Sequence, residues 1–386
     1  MERVNAEFLK KIKTLGAFDI NACFSCGNCT AICPLSDEKN SFPRKMIRYS
    51  LLGLEEKIIT SPDPWLCYYC GECTETCPRE ADPGGLMMAL RRFATTKYDF
   101  TGISPLIYLS KTFKFIATLV LMLLTVALVY FLHGPIITSE VKLATFAPVH
   151  ITEIGDLVIL FLLGSILLIN IYRMYRFIVL QEGKSRAKIP LKVYIKEFIN
   201  ILPLNFFTQL KFKFCENKKY WITHLIIVYG YGMAFILVVF LLRWFQTDEF
   251  YPFMHPIRIL GYFSAIALLY GVAYMSIGRI KHRKEPVWKF SHSTDWMFLI
   301  LLFLTTLTGL LVDVFKYLHL PMATYITYTI HLAVVTPLLV LEVPFAKWSH
   351  LAYRPFAIYF ARLKEYTEKV GSSEVSTASK SKEAEM

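Results

Sequence analysis

The strongest constraint on this chain is a cysteine pattern written twice. Cys23-Phe-Ser-Cys26-Gly-Asn-Cys29-Thr-Ala-Ile-Cys33-Pro34 returns as Cys67-Tyr-Tyr-Cys70-Gly-Glu-Cys73-Thr-Glu-Thr-Cys77-Pro78. The copies agree at every cysteine, at Gly27 and Gly71, at Thr30 and Thr74, and at both prolines. Two-residue gaps let three thiolates of one loop reach three corners of a single 4Fe–4S cubane, while the fourth cysteine serves the other cubane. The expected ligand sets are Cys23, Cys26, Cys29 and Cys77 for one cluster, and Cys67, Cys70, Cys73 and Cys33 for the other. Glycine allows the tight loop, and proline after the last cysteine suits a first helical turn. Structural zinc also uses paired Cys-x2-Cys. It has little use for a third close cysteine and a following Cys-Pro, so a zinc-binding membrane sensor is the non-redox alternative.

Eight of the nine cysteines lie in this repeat, and Cys215 stands alone as an expected free thiol. Met1–Lys13 is charged and lacks the apolar core of a secretory signal. The N-terminal domain is therefore expected in a reducing cytosol, where thiols bind metal and do not pair. Between the two copies, Pro43–Gly53 reads as a helix, which suggests a helical ferredoxin-type domain and not the small βαββαβ form.

The remainder is of another class. The chain is 55% apolar and 19% charged, and the long apolar runs fall within residues 105–350. Six stretches, roughly 112–133, 152–178, 221–244, 256–278, 294–316 and 324–347, reach the ~20 residues needed to span hydrocarbon. Residues 181–220 and 279–290 are rich in Lys and Arg, whereas Gly134–Val149 holds Lys142 alone and Gln246–Pro256 holds none. The positive-inside bias puts both termini and both basic loops in the cytoplasm. It also accounts for most of the net charge of +12, so nucleic acid is not an expected partner. Residues 190–214 mix apolar side chains with Lys, which fits a membrane-surface segment, a partner site or a solvated connector. The expected architecture is all-α: a two-cluster domain over 1–104, a six-helix transmembrane bundle over 105–362 and a disordered tail over 363–386.

Histidines at bilayer depth are costly unless they serve a function. His224 lies about a turn into the third span, His331 near the outer end of the sixth, and His350 at its inner end. His331 and His350 are nineteen residues apart, about 28 Å on a straight helix. That separation suits two b-type haems, one at each membrane face. Depth pairs His224 with His350 on the cytoplasmic side. His331 would hold an outer haem, with His150 or His255 as its partner, then His133 or His319. His292 could join the inner site; His133, His282 and His319 otherwise read as ordinary interfacial residues. Nineteen residues leave the sixth-span histidines about 100° apart in phase, which kinks at Pro337 and Pro344 could correct. Glu342 is the intramembrane carboxylate expected to handle protons, unless it snorkels towards Lys347.

This layout resembles known redox proteins. Residues 15–95, with their paired cysteine motifs, look like the C subunit of heterodisulfide reductases. Residues 110–360 resemble the cytochrome b subunit of respiratory nitrate reductase and its methanogen relatives. In that pattern the first haem helix carries two histidines, and here it carries His224 alone. The fusion is similar to the C-subunit family of quinone-interacting membrane-bound oxidoreductase complexes of sulfate reducers. The resemblance implies a quinone-linked oxidoreductase subunit with one or two haem b groups and two clusters. It also implies cytosolic flavin and iron–sulfur partner subunits, with electrons bound for adenylylsulfate reductase. A heterodisulfide- or sulfite-linked complex is the alternative. No Gly-x-Gly-x-x-Gly follows a strand pattern, so a dinucleotide is expected elsewhere.

Overall fold

The computed structural model describes residues 3–38, 40–181, 188–209 and 218–384, with side chains described to residue 370. Cys215 lies outside the described residues, as do 182–187 and 210–217 of the basic loop. Among the described residues the protein is helical without a strand.

The cysteine domain is built from α1 (Phe8–Thr14), α2 (Asn28–Ile32), α3 (Arg44–Leu51), α4 (Glu55–Ile59), α5 (Asp63–Leu66), α6 (Glu72–Glu75), α7 (Pro83–Tyr98) and α8 (Ile103–Leu109). The helix expected over 43–53 is α3. Helix α7 organises the domain. Its Asp82 side chain caps it by accepting from the Gly85 amide at 2.9 Å, and Pro83 takes the first helical position. Leu86, Leu90 and Phe93 of α7 pack on Phe8, Ile12, Met46 and Ile58 in a closed core. Such burial contributes about 1.5–3 kcal/mol per large apolar side chain, so a domain of short helices can hold two long cysteine loops in place.

Six helices are long and apolar enough to cross a membrane: Lys111–Leu132, Val149–Leu180, Lys218–Phe240, Pro256–Lys281, Ser293–Tyr317 and Pro321–Phe345. In chain order the elements are α9 (Lys111–Leu132), α10 (Leu143–Phe146), α11 (Val149–Tyr175), α12 (Leu191–Phe207), α13 (Lys218–Phe240), α14 (Leu242–Phe245), α15 (Pro256–Lys281), α16 (Ser293–Tyr317), α17 (Pro321–Pro337), α18 (Val343–Phe345) and α19 (His350–Ala384). This is a multi-pass membrane architecture. Phe115, Leu123 and Phe131 of α9 stay exposed, as a lipid-facing helix requires. Gly230 of α13 and Gly271 of α15 leave no room for a methyl group: an added Cβ would lie 2.9 Å from Ala267 and 2.1 Å from Ile227. Small residues let these two helices approach closely.

Three details depart from the sequence reading. His331 and His350 do not share a helix. After Pro337 the chain takes a π-helical turn over Leu338–Glu342, then α18, and leaves the helical conformation at Ala346 before α19 begins. Pro344 lacks the N–H that would continue the α-helical ladder, so the phase difference is absorbed by a break and not by a bend. Part of the basic loop forms α12, which packs on α19 through Phe198 and Tyr359, ring centres 5.9 Å apart. The expected break after 362 falls inside α19. There Leu363 is fully buried and the Lys364 ammonium donates to the Thr60 carbonyl at 3.2 Å. The helix thus returns to the cysteine domain where a tail was expected to begin.

Candidate functional site

The two cysteine loops share a backbone conformation. Ser25 and Tyr69 have φ of 62° and 58°, and Gly27 and Gly71 have 91° and 92°. The left-handed glycine after the second cysteine of each copy turns the loop into α2 or α6, a geometry that favours glycine. The amides of Ser25 and Tyr69 donate to the sulfurs of Cys23 and Cys67 at 3.4 and 3.3 Å.

The thiols sort into two groups. Cys23, Cys26, Cys29 and Cys77 surround one cavity, together with Arg44 and Ile47. Burial raises Cys29, and the Cys23, Cys26 and Cys77 thiolates raise it further. Burial pushes the Cys33 thiol up to about 12, with Cys67 and Cys70 adding to the effect. Cys73 is raised by burial and then by Cys67, Cys70 and Cys33, with Cys29 acting least. Thiolates crowded in this way need compensating cationic charge. Among the described residues no three His, Cys, Asp or Glu side chains converge as a single metal ion requires. Four thiols around a cavity suit a larger group than one zinc ion.

The second loop leans on the membrane half. Tyr69 Oη donates to the Pro286 carbonyl at 3.5 Å, and a Cβ on Gly71 would lie 2.8 Å from Pro286. The Arg91 guanidinium donates to the Cys67 carbonyl, and Arg354 of α19 stacks over Tyr68 at 4.4 Å. The first loop lies away from this contact, with Cys26 and Phe24 exposed.

Beside the second loop lies a pocket lined by Trp65, Tyr68, Arg91, His224, Arg279 and His350, among others. The imidazoles of His224 and His350 oppose each other there, ring centres 6.2 Å apart and planes at 69°. A ring nitrogen lies about 2 Å from a first-row metal it ligates and about 1.2 Å from its own ring centre, so two imidazoles on one iron have centres about 6 Å apart. The pair fits. His350 Nδ1 donates to the Lys347 carbonyl, which fixes the proton there and leaves Nε2 for a ligand. Burial pushes the His350 imidazole down to about 3, so it is neutral, as ligation needs.

Residues 19–81 match the 4Fe-4S dicluster domain. The chain is 38% identical over 102 residues to a C-subunit-like protein of heterodisulfide reductase from Archaeoglobus profundus, covering 25% of this chain and 54% of that protein. It is 39% identical over 63 residues to the C subunit of the H(2):CoB-CoM heterodisulfide,ferredoxin reductase of Methanothermobacter marburgensis, covering 16% and 34%. With the second iron-sulfur C subunit of the CoB–CoM heterodisulfide reductase of Methanocaldococcus jannaschii the figures are 32% over 105 residues, covering 25% and 56%. The chain thus spans about a third to just over half the length of these relatives. No solved structure matches it.

The other histidines are placed differently from the pair below the dicluster domain. His331 Nδ1 lies 3.0 Å from Thr308 Oγ1, and its ring packs on Gly309. Among the described residues no ring contact brings a second histidine to it. His150 is exposed, and His255 is stacked on Tyr251 at 4.0 Å. His133 stacks on Phe146, and His319 on Phe250. His282 pairs with Glu285 at 2.9 Å. His292 is not part of the inner site. It caps α16, its Nδ1 accepting from the Thr294 amide at 3.3 Å, while Asp295 accepts from the His292 amide at 3.0 Å. Glu342 does not snorkel: it is fully buried and accepts from the Lys347 amide, not its ammonium, at 2.9 Å.

Sequence reasoning missed Asp295. It binds Arg92 of the dicluster domain at 2.9 Å and Lys347 at 2.7 Å, tying α7, α16 and the turn before α19 together. Burial lowers the Lys347 ammonium, and Asp295 acts against that. The available signal was one acidic residue at the start of an apolar span.

Proposed function

We propose that this chain is a membrane-embedded electron-transfer subunit of an oxidoreductase complex, carrying electrons between a membrane quinone pool and soluble flavin-containing subunits. The observation that carries it is the opposed His224–His350 pair in a pocket whose wall is the loop of Cys67. Bound there, a haem b supplies a one-electron couple, and two 4Fe–4S clusters in the dicluster domain continue it. The crossed ligand sets, Cys23, Cys26, Cys29 and Cys77 against Cys67, Cys70, Cys73 and Cys33, follow the grouping of the thiols. The Cys67 loop faces the membrane half and the Cys23 loop faces outward. The chain therefore offers one end of its relay to the bilayer and the other to soluble partners. Lys and Arg in the loops on the dicluster side support placing that domain, and both termini, at the cytoplasmic face of the inner membrane.

A (mena)quinone as lipid carrier and adenylylsulfate reduction as the destination rest on the family resemblance. A second destination, a heterodisulfide-linked complex, is favoured by the names of the matched relatives. Co-purification of partner subunits separates the two. A purified chain with a reducible bis-imidazole absorption band, and with about eight iron and eight sulfide per chain as two cubanes need, supports the core assignment. Iron-free protein containing zinc would sink it. His331 is a position for a second haem only if such a preparation holds two haems per chain.

A further inference from the structure

The pocket that holds His224 and His350 carries more positive charge than it can neutralise. Arg91, Arg92, Arg279, Lys347 and Arg354 line it, against one carboxylate, Asp295. Asp295 is already shared, binding Arg92 at 2.9 Å and Lys347 at 2.7 Å. Leaving Arg354 aside, and setting Arg91 against the Cys67 thiolate beside it, three cations still face one carboxylate. Uncompensated charge away from water is among the costliest arrangements a protein can hold. Something anionic is needed to complete this site.

The lining says what kind of anion. Ile227, Val272, Leu299 and Leu302 make an apolar wall from three spans, while the arginines gather beside the dicluster domain. Such a pocket takes a ligand with an apolar body and a charged edge. Arg91 is held in place by carbonyls, its Nε donating to Pro64 at 2.7 Å and its Nη2 to Trp65 at 3.4 Å. Arg279 donates from Nη1 to the Met275 carbonyl at 2.9 Å and lies over Trp288 at 5.3 Å, while its buried Nε meets no acceptor. One guanidinium thus supplies fixed charge, and the other a donor still without an acceptor.

We propose that the dicluster-facing end of this pocket is a carboxylate-binding subsite, in which Arg279 and Arg91 compensate the propionate groups of a haem b held by His224 and His350. The subsite rests on that histidine assignment and goes beyond it, because it fixes which edge of the ligand faces the Cys67 loop. Charge-assisted bonds from arginine to carboxylate are stronger than neutral ones, and a cation beside a redox group favours its reduced form.

The test uses the full chain, purified in detergent from haem-limited cells and titrated with haem b or with its dimethyl ester, which keeps the macrocycle and loses both charges. Haem b is expected to produce the bis-imidazole band, with the ester binding at least about tenfold more weakly, as loss of a charge-assisted bond implies. Equal affinity would overturn the subsite alone, whereas uptake of neither form would overturn the histidine assignment and the subsite with it. A redox titration of the reconstituted protein gives a second reading. Arg279→Gln should make the haem midpoint more negative by about tenfold in the reduction equilibrium, about 59 mV for one electron. Arg279→Lys should return it towards the parent value. Identical midpoints in the parent and Arg279→Gln would remove Arg279 from this role.

Discussion

The two ends of the membrane half are built on opposite plans. Beneath the dicluster domain, α13, α15, α16 and the start of α19 enclose a cation-lined pocket with two facing imidazoles. At the far end, side chains close on one another. Asp248 accepts from the Ala144 amide and the Thr145 hydroxyl at 2.6 and 2.7 Å, Tyr328 donates to Gln246 at 2.8 Å, and Tyr262 donates to Asp313 at 2.7 Å. His331, near that end, spends its Nδ1 on Thr308. Most polar groups at the far end satisfy each other, with Arg258 Nε and His255 Nδ1 as buried exceptions, whereas those beneath the dicluster domain leave charge over. The two ends therefore differ in how much charge their own side chains balance.

The sharpest way to break this contrast is to remove the imidazoles one at a time. His350→Ala or His224→Ala is expected to abolish the haem band of the dicluster-side pocket, because one ligand of a facing pair is lost. His331→Ala should leave that band in place. A band that disappears with His331 and survives His350→Ala would reverse the comparison.

Next in size is the cysteine that crosses between the loops. Cys77→Ser is expected to remove about half the iron, since it would break one of two cubanes and spare the other. It should also leave the His224–His350 band unchanged, because Cys77 groups with the outward loop. Electron paramagnetic resonance of the reduced protein would show which cluster signal survives. Loss of the signal belonging to the Cys67 loop would contradict the crossed sets.

Asp295 tests how the dicluster-side end is held together. Asp295→Asn leaves Arg92 buried opposite a neutral group. Breaking such a pair costs about 3–5 kcal/mol, read as a lower thermal midpoint in detergent. Asp313→Asn at the far end faces a guanidinium already stacked on Tyr317 at 3.5 Å, and is expected to cost less.

How much of this was legible beforehand depends on the range of the signal. The spans were visible because apolar runs of ~20 residues have one stable solution in lipid. The cysteine loops were visible because their cysteines sit within a few residues of each other. The closeness of His224 and His350 could be read from depth alone, because the third span begins and the sixth ends at the same face. Asp295 could not be read in this way. Its position at the start of an apolar span was a local hint, but its partners Arg92 and Lys347 lie far from it in the chain. The break after Pro337 was half legible: the prolines announced a disruption, but whether it becomes a bend or a full break is decided by packing. The role of His292 stayed open in the sequence because an interfacial histidine looks the same whether it caps a helix or binds a ligand.

His292 also gives a pH-dependent effect confined to the dicluster-side end. Burial, with Arg92 adding to it, lowers its imidazole from 6.5 to about 3. The unfolded chain therefore takes up a proton across that window while the folded cap does not, so stability falls as pH drops from about 6.5 towards 3. The slope from this group approaches about 1.4 kcal/mol per pH unit. His292→Asn keeps a capping acceptor without the titration, and should flatten the thermal midpoint against pH relative to the parent. An unchanged profile would show that burial does not hold this imidazole below its ordinary range.

The smallest effect belongs to the far end. Thr308→Val removes the hydroxyl facing His331 Nδ1 with little change of volume. If the far end is closed by its own side chains, the loss is that of one hydrogen bond, about 1 kcal/mol, with no change in any absorption band. A shifted haem spectrum in Thr308→Val would mean that His331 holds a ligand whose orientation Thr308 sets, and the two ends would then differ in degree and not in kind.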